Sequence, residues 1–246
     1  MNPQNKTALI TGGARRVGKA ITLALAQAGA NVVINYNSSR DEAEQTVNEA
    51  RAFGVDALAL RADIGKLDDV RAMVNAATEK FGAVDILVNS AAPFEQTPLP
   101  TQDLSDWHRI TNIIINGSLY TANAVAPMML QRKAGVIINI TDLFGIEPRK
   151  NYAAHSVSKA AMLALTRQLA IDLAPNVRVN AVAPGPVLPP ADYSPEHIAQ
   201  SAARTLLNRW GTPQDIADAV LYLVRADYVT AQIIIVDGGE QFGRFK

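Results

Sequence analysis

The stretch Thr7-Ala-Leu-Ile-Thr-Gly-Gly-Ala-Arg-Arg-Val-Gly18 decides the fold. Its first five residues form a short apolar run of the buried-strand kind, and Gly12-Gly13 follows at once. From Val17 the apolar positions Ile21, Leu23, Leu25 and Ala28 recur with helical period until Gly29 stops them. A strand, a glycine turn and a helix in that order place backbone N–H groups and a helix dipole where a dinucleotide pyrophosphate binds. Any tight strand-to-helix turn wants glycine; what adds weight here is the position after the first strand. Gly12 and Gly18 frame the turn. Arg15 and Arg16 fill its middle, where a third glycine would be expected, and bring positive charge to the phosphates.

Outward from this turn the alternation continues. Further strands are expected at residues 31–36, 57–62, 84–89, 135–141, 177–182 and 232–237, and helices at 41–53, 67–81, 106–131, 152–173 and 213–224. Strands that are apolar on both sides predict an α/β fold with a parallel sheet covered on both faces. No linker, repeat or low-complexity tract interrupts the pattern, so residues 1–246 are expected to form one domain. Pro184 to about Ala199, with Pro186, Pro189, Pro190 and Pro195, reads as the one long irregular loop, of the kind that carries function at a sheet edge.

Lys plus Arg and Asp plus Glu number 23 each, so no global field points to nucleic acid or to an anionic membrane. Absence of cysteine excludes disulfides, thiolate catalysis and zinc–thiolate sites. His108, His155 and His197 have no ligand spacing, so no metal is expected. The N-terminal residues read straight into a strand, so no leader is expected, and no apolar run of membrane-span length is expected. The expectation is a cytoplasmic protein with a small-molecule substrate.

At the end of the second strand, NAD sites place a carboxylate on the ribose 2′-hydroxyl. Asn35-Tyr-Asn-Ser-Ser-Arg40 carries none, and Asp41 and Glu42 fall inside the next helix. Asn37, Ser38, Ser39 and Arg40 suit a 2′-phosphate, so NADPH is expected. A polar helix-capping turn is compatible with the same residues.

Asn151-Tyr-Ala-Ala-His-Ser-Val-Ser-Lys-Ala-Ala-Met162 carries the second set of chemical groups. On a helix His155 and Lys159, four apart, share a face, and Tyr152 lies a turn back. The strand before it ends at Asp142. Carboxylate, imidazole and ammonium together fit a proton-transfer site, although a His and a Lys on a helix are also ordinary surface.

Thr11 to Gly18, Asp63, Asn89-Ser-Ala-Ala92, the helix bearing Lys159, Arg178-Val-Asn180, Pro184-Gly-Pro-Val187 and Asp237-Gly-Gly239 occur in one order. On these the chain resembles the short-chain dehydrogenase/reductase family over nearly its whole length. The resemblance implies a single doubly wound Rossmann domain with a seven-stranded parallel sheet, and dimers or tetramers built on the two long helices, a homotetramer being expected. It also implies NAD(P) held by Gly12, Arg15, Arg16, Gly18, Asp63, Asn89, Ala91, Lys159, Pro184, Gly185 and Val187. Three features look like the pteridine reductases: Arg16 for the middle glycine, Phe94 in the segment Asn89 to Leu99, and Asp142 where most members have serine. They imply reduction of dihydropterins or dihydrofolate, with Arg16, Phe94 and Asp142 at the substrate. Phe94 packed on the sheet edge is the plainer alternative.

Departures from the family matter more. The tyrosine expected four residues before the lysine is His155, whereas Tyr152 is seven before it. Ile114 stands where the family has an asparagine, with Asn112 and Asn116 two residues to either side. An offset of two rotates a side chain by about 200°, so neither substitutes simply. Thr230-Ala-Gln232 has alanine for a usual glycine, read as minor. Protonated imidazole is a better acid than a phenol, so His155 with Asp142 and Lys159 is expected to deliver the proton. An NADPH-dependent 3-oxoacyl or small-ketone reductase could use the same groups. A catalytically silent NADP-binding protein is the third reading.

Overall fold

Strand β1 (Thr7–Thr11) is buried along its whole length and is paired on both edges, with β2 (Asn31–Tyr36) and β4 (Ile86–Asn89). The sheet is completed by β3 (Ala57–Arg61), β5 (Gly135–Ile140), β6 (Val177–Pro184) and β7 (Ile233–Val236), in the order β3-β2-β1-β4-β5-β6-β7. Every pairing is parallel. The computed structural model describes residues 1–189 and 193–245, so Pro190 of the expected loop lies outside the described residues.

Strand residues alternate between two apolar layers. Ile10, Ile34, Val88 and Ile138 pack on helices α1 (Arg16–Gln27), α2 (Arg40–Arg51) and α8 (Pro213–Arg225). Leu9, Val33, Leu87 and Ile137 pack on the other side against α3 (Leu67–Phe81), α5 (Gly117–Gln131) and α6 (Ala153–Leu173). Two covered faces explain why the strands read as unbroken apolar runs. Because the strand order reverses between β1 and β4, a crevice opens at their carboxyl ends.

Three expectations need correction. The helix expected from Asp106 begins one residue earlier, as α4 (Ser105–Thr111), and passes through a π-helical turn, Asn112–Asn116, before α5. Ser105–Gln131 is also long and apolar enough to cross a membrane, contrary to the reading that no such run exists; part of it is buried within the layer shared with α3 and α6. The expected loop contains a helix, α7 (Pro195–Arg204), capped where the Ser194 hydroxyl accepts from the His197 N–H. Pro195 therefore marks a helix start, since its fixed φ and missing N–H suit the first helical position.

A polar chain runs through the otherwise apolar centre. The Thr121 hydroxyl donates to Asn89 Oδ1 (2.7 Å), the Asn89 amide to Asn139 Oδ1 (3.0 Å) and the Asn139 amide to Thr166 Oγ1 (2.9 Å). All four side chains are buried, so each bond replaces a lost bond to water. The chain ties β4 and β5 to α5 and α6, the elements that carry the site.

Ala231 is not a minor change. It sits at φ +61, with its N–H donating to Val179 O at 2.8 Å, in the left-handed region where a Cβ crowds the following carbonyl. Ala231→Gly should raise stability by about 1 kcal/mol, read as a higher urea midpoint with unchanged slope. An unchanged or lower midpoint would show that the backbone there carries no strain.

Candidate active site

The crevice divides into two adjoining cavities. The larger, about 500 Å³, is lined by Gly12, Arg15, Arg16, Gly18, Asn37, Ser38, Ser39, Asp63 and Ala91, all expected at the cofactor. A Cβ on Gly12, whose φ is +62, would lie 2.9 Å from Ala91 Cα, and one on Gly18 would lie 2.1 Å from Gly12 O. This backbone cradle at the start of α1 fits a pyrophosphate. Arg16 has φ +52, so it occupies the conformation a middle glycine would, and its guanidinium donates to Leu188 O at 3.2 Å. Two residues expected at the cofactor are elsewhere. Arg40 opens α2 in solvent and does not line the cavity, and the Asn89 amide is bonded in the core.

The smaller cavity, about 240 Å³, brings together Arg16, Phe94, Asp142, His155, Lys159, Pro184, Gly185 and Val187. Asp142, just past the end of β5, caps a short turn, Leu143–Gly145, by accepting the Phe144 N–H at 2.7 Å. That turn lies on α6 so closely that a Cβ on Gly145 would come within 2.7 Å of the Lys159 backbone. Glycine there is what lets the carboxylate reach the helix. Lys159 is buried and donates to Ile140 O at 2.7 Å. Burial pushes its pKa down to about 8, with the Asp142 charge opposing the shift.

His155 Nε2 lies 3.4 Å from Asp142 Oδ2, and Nδ1 lies 3.1 Å from Pro93 O. The first is an ion-pair distance without hydrogen-bond alignment, and among the described residues Nε2 has no hydrogen-bond partner. A carbonyl can only accept, so Nδ1 carries a proton. Nε2 then faces the carboxylate as a lone pair in the neutral ring and as N–H in the cation. The cation is the form in which these two atoms attract.

Tyr152 lies just outside α6 and lines neither cavity. Its ring stacks on Phe94 (centroids 5.0 Å, 25°) and meets Phe144 edge-on at 5.4 Å. Phe94 also meets the His155 ring edge-on at 5.0 Å while remaining 44% exposed. Phe94 is therefore both a packed aromatic and a cavity wall. Ile114 is buried with Ile110, Ala154 and Met162. Asn112 donates to Gly65 O and Asn116 to Asn112 Oδ1, so neither asparagine bonds Lys159.

Sequence reasoning missed Glu240 and the Pro93 carbonyl. Glu240 opens a 3₁₀ turn, Glu240–Phe245, and enters the smaller cavity. It is held by Arg149 at 3.2 Å and Arg204 at 3.7 Å, and burial raises its pKa. Nothing local marks either group, since both are brought in by the fold.

A parallel sheet with this cradle and a buried lysine beside it defines a nicotinamide-dinucleotide oxidoreductase. A family described as enoyl-(acyl carrier protein) reductase matches residues 12–241. The chain is 36% identical over 240 residues to the 3-oxoacyl-[acyl-carrier-protein] reductase FabG of Staphylococcus epidermidis, covering 96% of this chain and 98% of that one. It is 36% identical over 239 residues to a 3-oxoacyl-[acyl-carrier-protein] reductase of Synechocystis, covering 95% and 96%. Among solved structures, a 7α-hydroxysteroid dehydrogenase complexed with NADH and 7-oxo glycochenodeoxycholic acid superposes with TM-score 0.90 at 36% identity, covering 97% and 96%. An NAD⁺-bound xylitol dehydrogenase superposes with TM-score 0.90 at 27% identity, covering 97% and 100%. The chain belongs to the short-chain dehydrogenase/reductase family. The two sequence relatives named here are 3-oxoacyl-[acyl-carrier-protein] reductases, and neither is named a pteridine reductase.

The lysine gives a stability test. Its ordinary pKa of 10.5 falls to about 8 in the fold, so between those values the unfolded chain holds a proton the folded one has shed. More protons bound in the unfolded state mean that stability rises with pH. The stability of ligand-free wild type relative to Lys159→Met should therefore climb from pH 8 toward 10.5, by about 3 kcal/mol at most. Urea denaturation at stepped pH measures it, and a flat difference would mean a solvated ammonium.

Proposed function

We propose that this chain is an NADPH-dependent carbonyl reductase of the 3-oxoacyl or small-ketone kind, with His155 in the place of the usual tyrosine. The observation that carries the reading is the His155–Asp142 contact of 3.4 Å in the wall of the cavity that also holds Lys159, with Tyr152 outside it. The names of the sequence relatives support the substrate class.

When bound, the dinucleotide supplies hydride to the carbonyl carbon. The carbonyl oxygen then gains the electron pair and takes a proton from His155 Nε2, leaving an alcohol and a neutral ring. Asp142 stabilises the charged ring before transfer. Lys159, with one N–H on Ile140 O, keeps two donors for the nicotinamide ribose. Arg16 and Phe94 shape the substrate end of the cavity. A second reading, reduction of a dihydropterin or dihydrofolate, is favoured by the exposed part of Phe94 beside Arg16 and Asp142; it would use the same proton on ring nitrogen. We place the enzyme in the cytoplasm, as a homotetramer supported by Leu119, Val157 and Ile171 exposed on α5 and α6.

NADPH is preferred because Arg15, Asn37, Ser38 and Ser39 line the ribose end without a carboxylate from β2. The Arg15 pair with Glu42 is long, at 3.7 Å, and exposed, which leaves the guanidinium available to a phosphate. NADPH should bind at least about tenfold tighter than NADH, since lost charge-assisted bonds cost about 1.5–3 kcal/mol. Equal dissociation constants in titration calorimetry would defeat that preference.

Function is tested by NADPH oxidation with an acetoacetyl ester, dihydrobiopterin, dihydromonapterin and dihydrofolate side by side. Turnover of the ester alone supports the main reading, and turnover of a pterin alone the second. In single-turnover hydride transfer, His155→Phe should lose about 10²–10⁴-fold and Tyr152→Phe little. Loss confined to Tyr152→Phe would overturn the assignment.

A further inference from the structure

After β4 the chain runs through residues 93–97 and touches the start of α6 at three polar points. The Thr97 N–H donates to Asn151 O at 2.6 Å, forming a strand-like bridge between Thr97 and Tyr152. The Thr97 hydroxyl accepts from the Ala154 N–H at 2.9 Å. His155 Nδ1 meets Pro93 O at 3.1 Å.

These contacts fill a gap. The first N–H groups of a helix have no partner within it, and Tyr152, at the N-cap of α6, offers no side-chain cap. Thr97, only 8% exposed, supplies the missing acceptor from 57 positions away in sequence. Its hydroxyl therefore holds the turn on which His155 stands. Between Pro93 and Thr97, Phe94 lies against Tyr152 and His155, so the loop cannot shift without disturbing both rings.

We propose that residues 93–97 are a positioning device for His155: the Pro93 carbonyl selects the Nδ1–H tautomer and Thr97 anchors the turn that presents the ring. With Nδ1–H held by Pro93, the proton that can leave is on Nε2, the nitrogen facing Asp142. Without the carbonyl, the ring could turn over or take the other tautomer, and the transferable proton would point away from the cavity. Thr97 is a positioning residue in this scheme because it acts through His155. The inference rests on His155 as proton donor, but its tautomer can be read without turnover.

The chain has three histidines, which makes the test tractable. Long-range ¹H–¹⁵N spectra of the full chain labelled with ¹⁵N-histidine, assigned with His155→Phe, should show the deprotonated His155 ring as Nδ1–H. Wild type with Nε2–H would overturn the proposal whatever the variants do. Thr97→Val, which keeps shape and removes the acceptor, should give mixed tautomers. It should also lower kcat for the acetoacetyl ester about tenfold, part of a general acid's usual contribution, while NADPH affinity stays within about twofold. Thr97→Ser should restore both. A Thr97→Val protein with a single Nδ1–H tautomer would show that Thr97 does not position the ring. Full turnover in His155→Phe would remove the proton-donor reading and leave the tautomer result standing.

Discussion

A buried ammonium is the constraint on which the site depends. Lys159 is enclosed by the sheet edge and its own helix, with Ile140 O as its protein acceptor. Removing such a charge from water is costly unless opposite charge and hydrogen bonds compensate. Asp142 supplies the charge, and it can do so because it follows closely on the end of β5 and the turn after it lies close on α6 at Gly145. The remaining desolvation shows in a pKa of about 8. The anchoring network Asn89–Asn139–Thr166 lies directly beneath, in the same strands and helix. Strand ends, turn and helix are therefore fixed relative to one another by groups that each require a partner.

Above the lysine, the replacement of a phenol by an imidazole changes what the surroundings must do. A phenol presents one oxygen, which can donate its proton directly. An imidazole has two nitrogens, and a donor on the wrong one is useless. Under the proposed chemistry the two nitrogens face different groups, a carbonyl at Nδ1 and, at ion-pair distance, a carboxylate at Nε2. The carbonyl belongs to the same loop that brings Phe94 to Tyr152, so tautomer and aromatic packing have a common origin. Tyr152, displaced to the helix cap, is then part of the cavity's backing and not its lining.

Most of the architecture could be read from periodicity, because strands covered on both faces leave an unmistakable apolar run. The cradle was legible for a related reason: Gly12 and Gly18 stand where no Cβ fits. The errors share a different cause. Asn89 and Arg40 sit at the right strand end and helix start, but side-chain direction there depends on partners such as Thr121 and Asn139, which local sequence does not reveal. Proline in the stretch after β6 signals a loop, yet Pro195 starts α7, and only the pair Ser194-Pro195, as a helix start, marks it locally. Glu240, Pro93 and Thr97 reach the site across long sequence separations and carry no motif.

The departures at positions 142, 155 and 114 are physically consistent with one another under the proposed chemistry. A phenol begins near pKa 10 and must be made acidic by a neighbouring cation, then reprotonated along a polar path. An imidazolium carries its own transferable proton, and under the proposed chemistry Asp142 faces that proton in the cavity wall. Asp142 is 24% exposed at its side chain while His155 is 3% exposed, so the pair meets solvent from the cavity side. No polar side chain is then required beneath α6. Ile114, enclosed by Ile110, Ala154 and Met162, seals that side with apolar contacts. An asparagine there would need partners for its amide in a wholly buried pocket. The π-helical turn has Ile114 at its centre and carries the Asn112 bond to Gly65 O and the Asn116 bond to Asn112. Neither bond involves Lys159, which donates to Ile140 O.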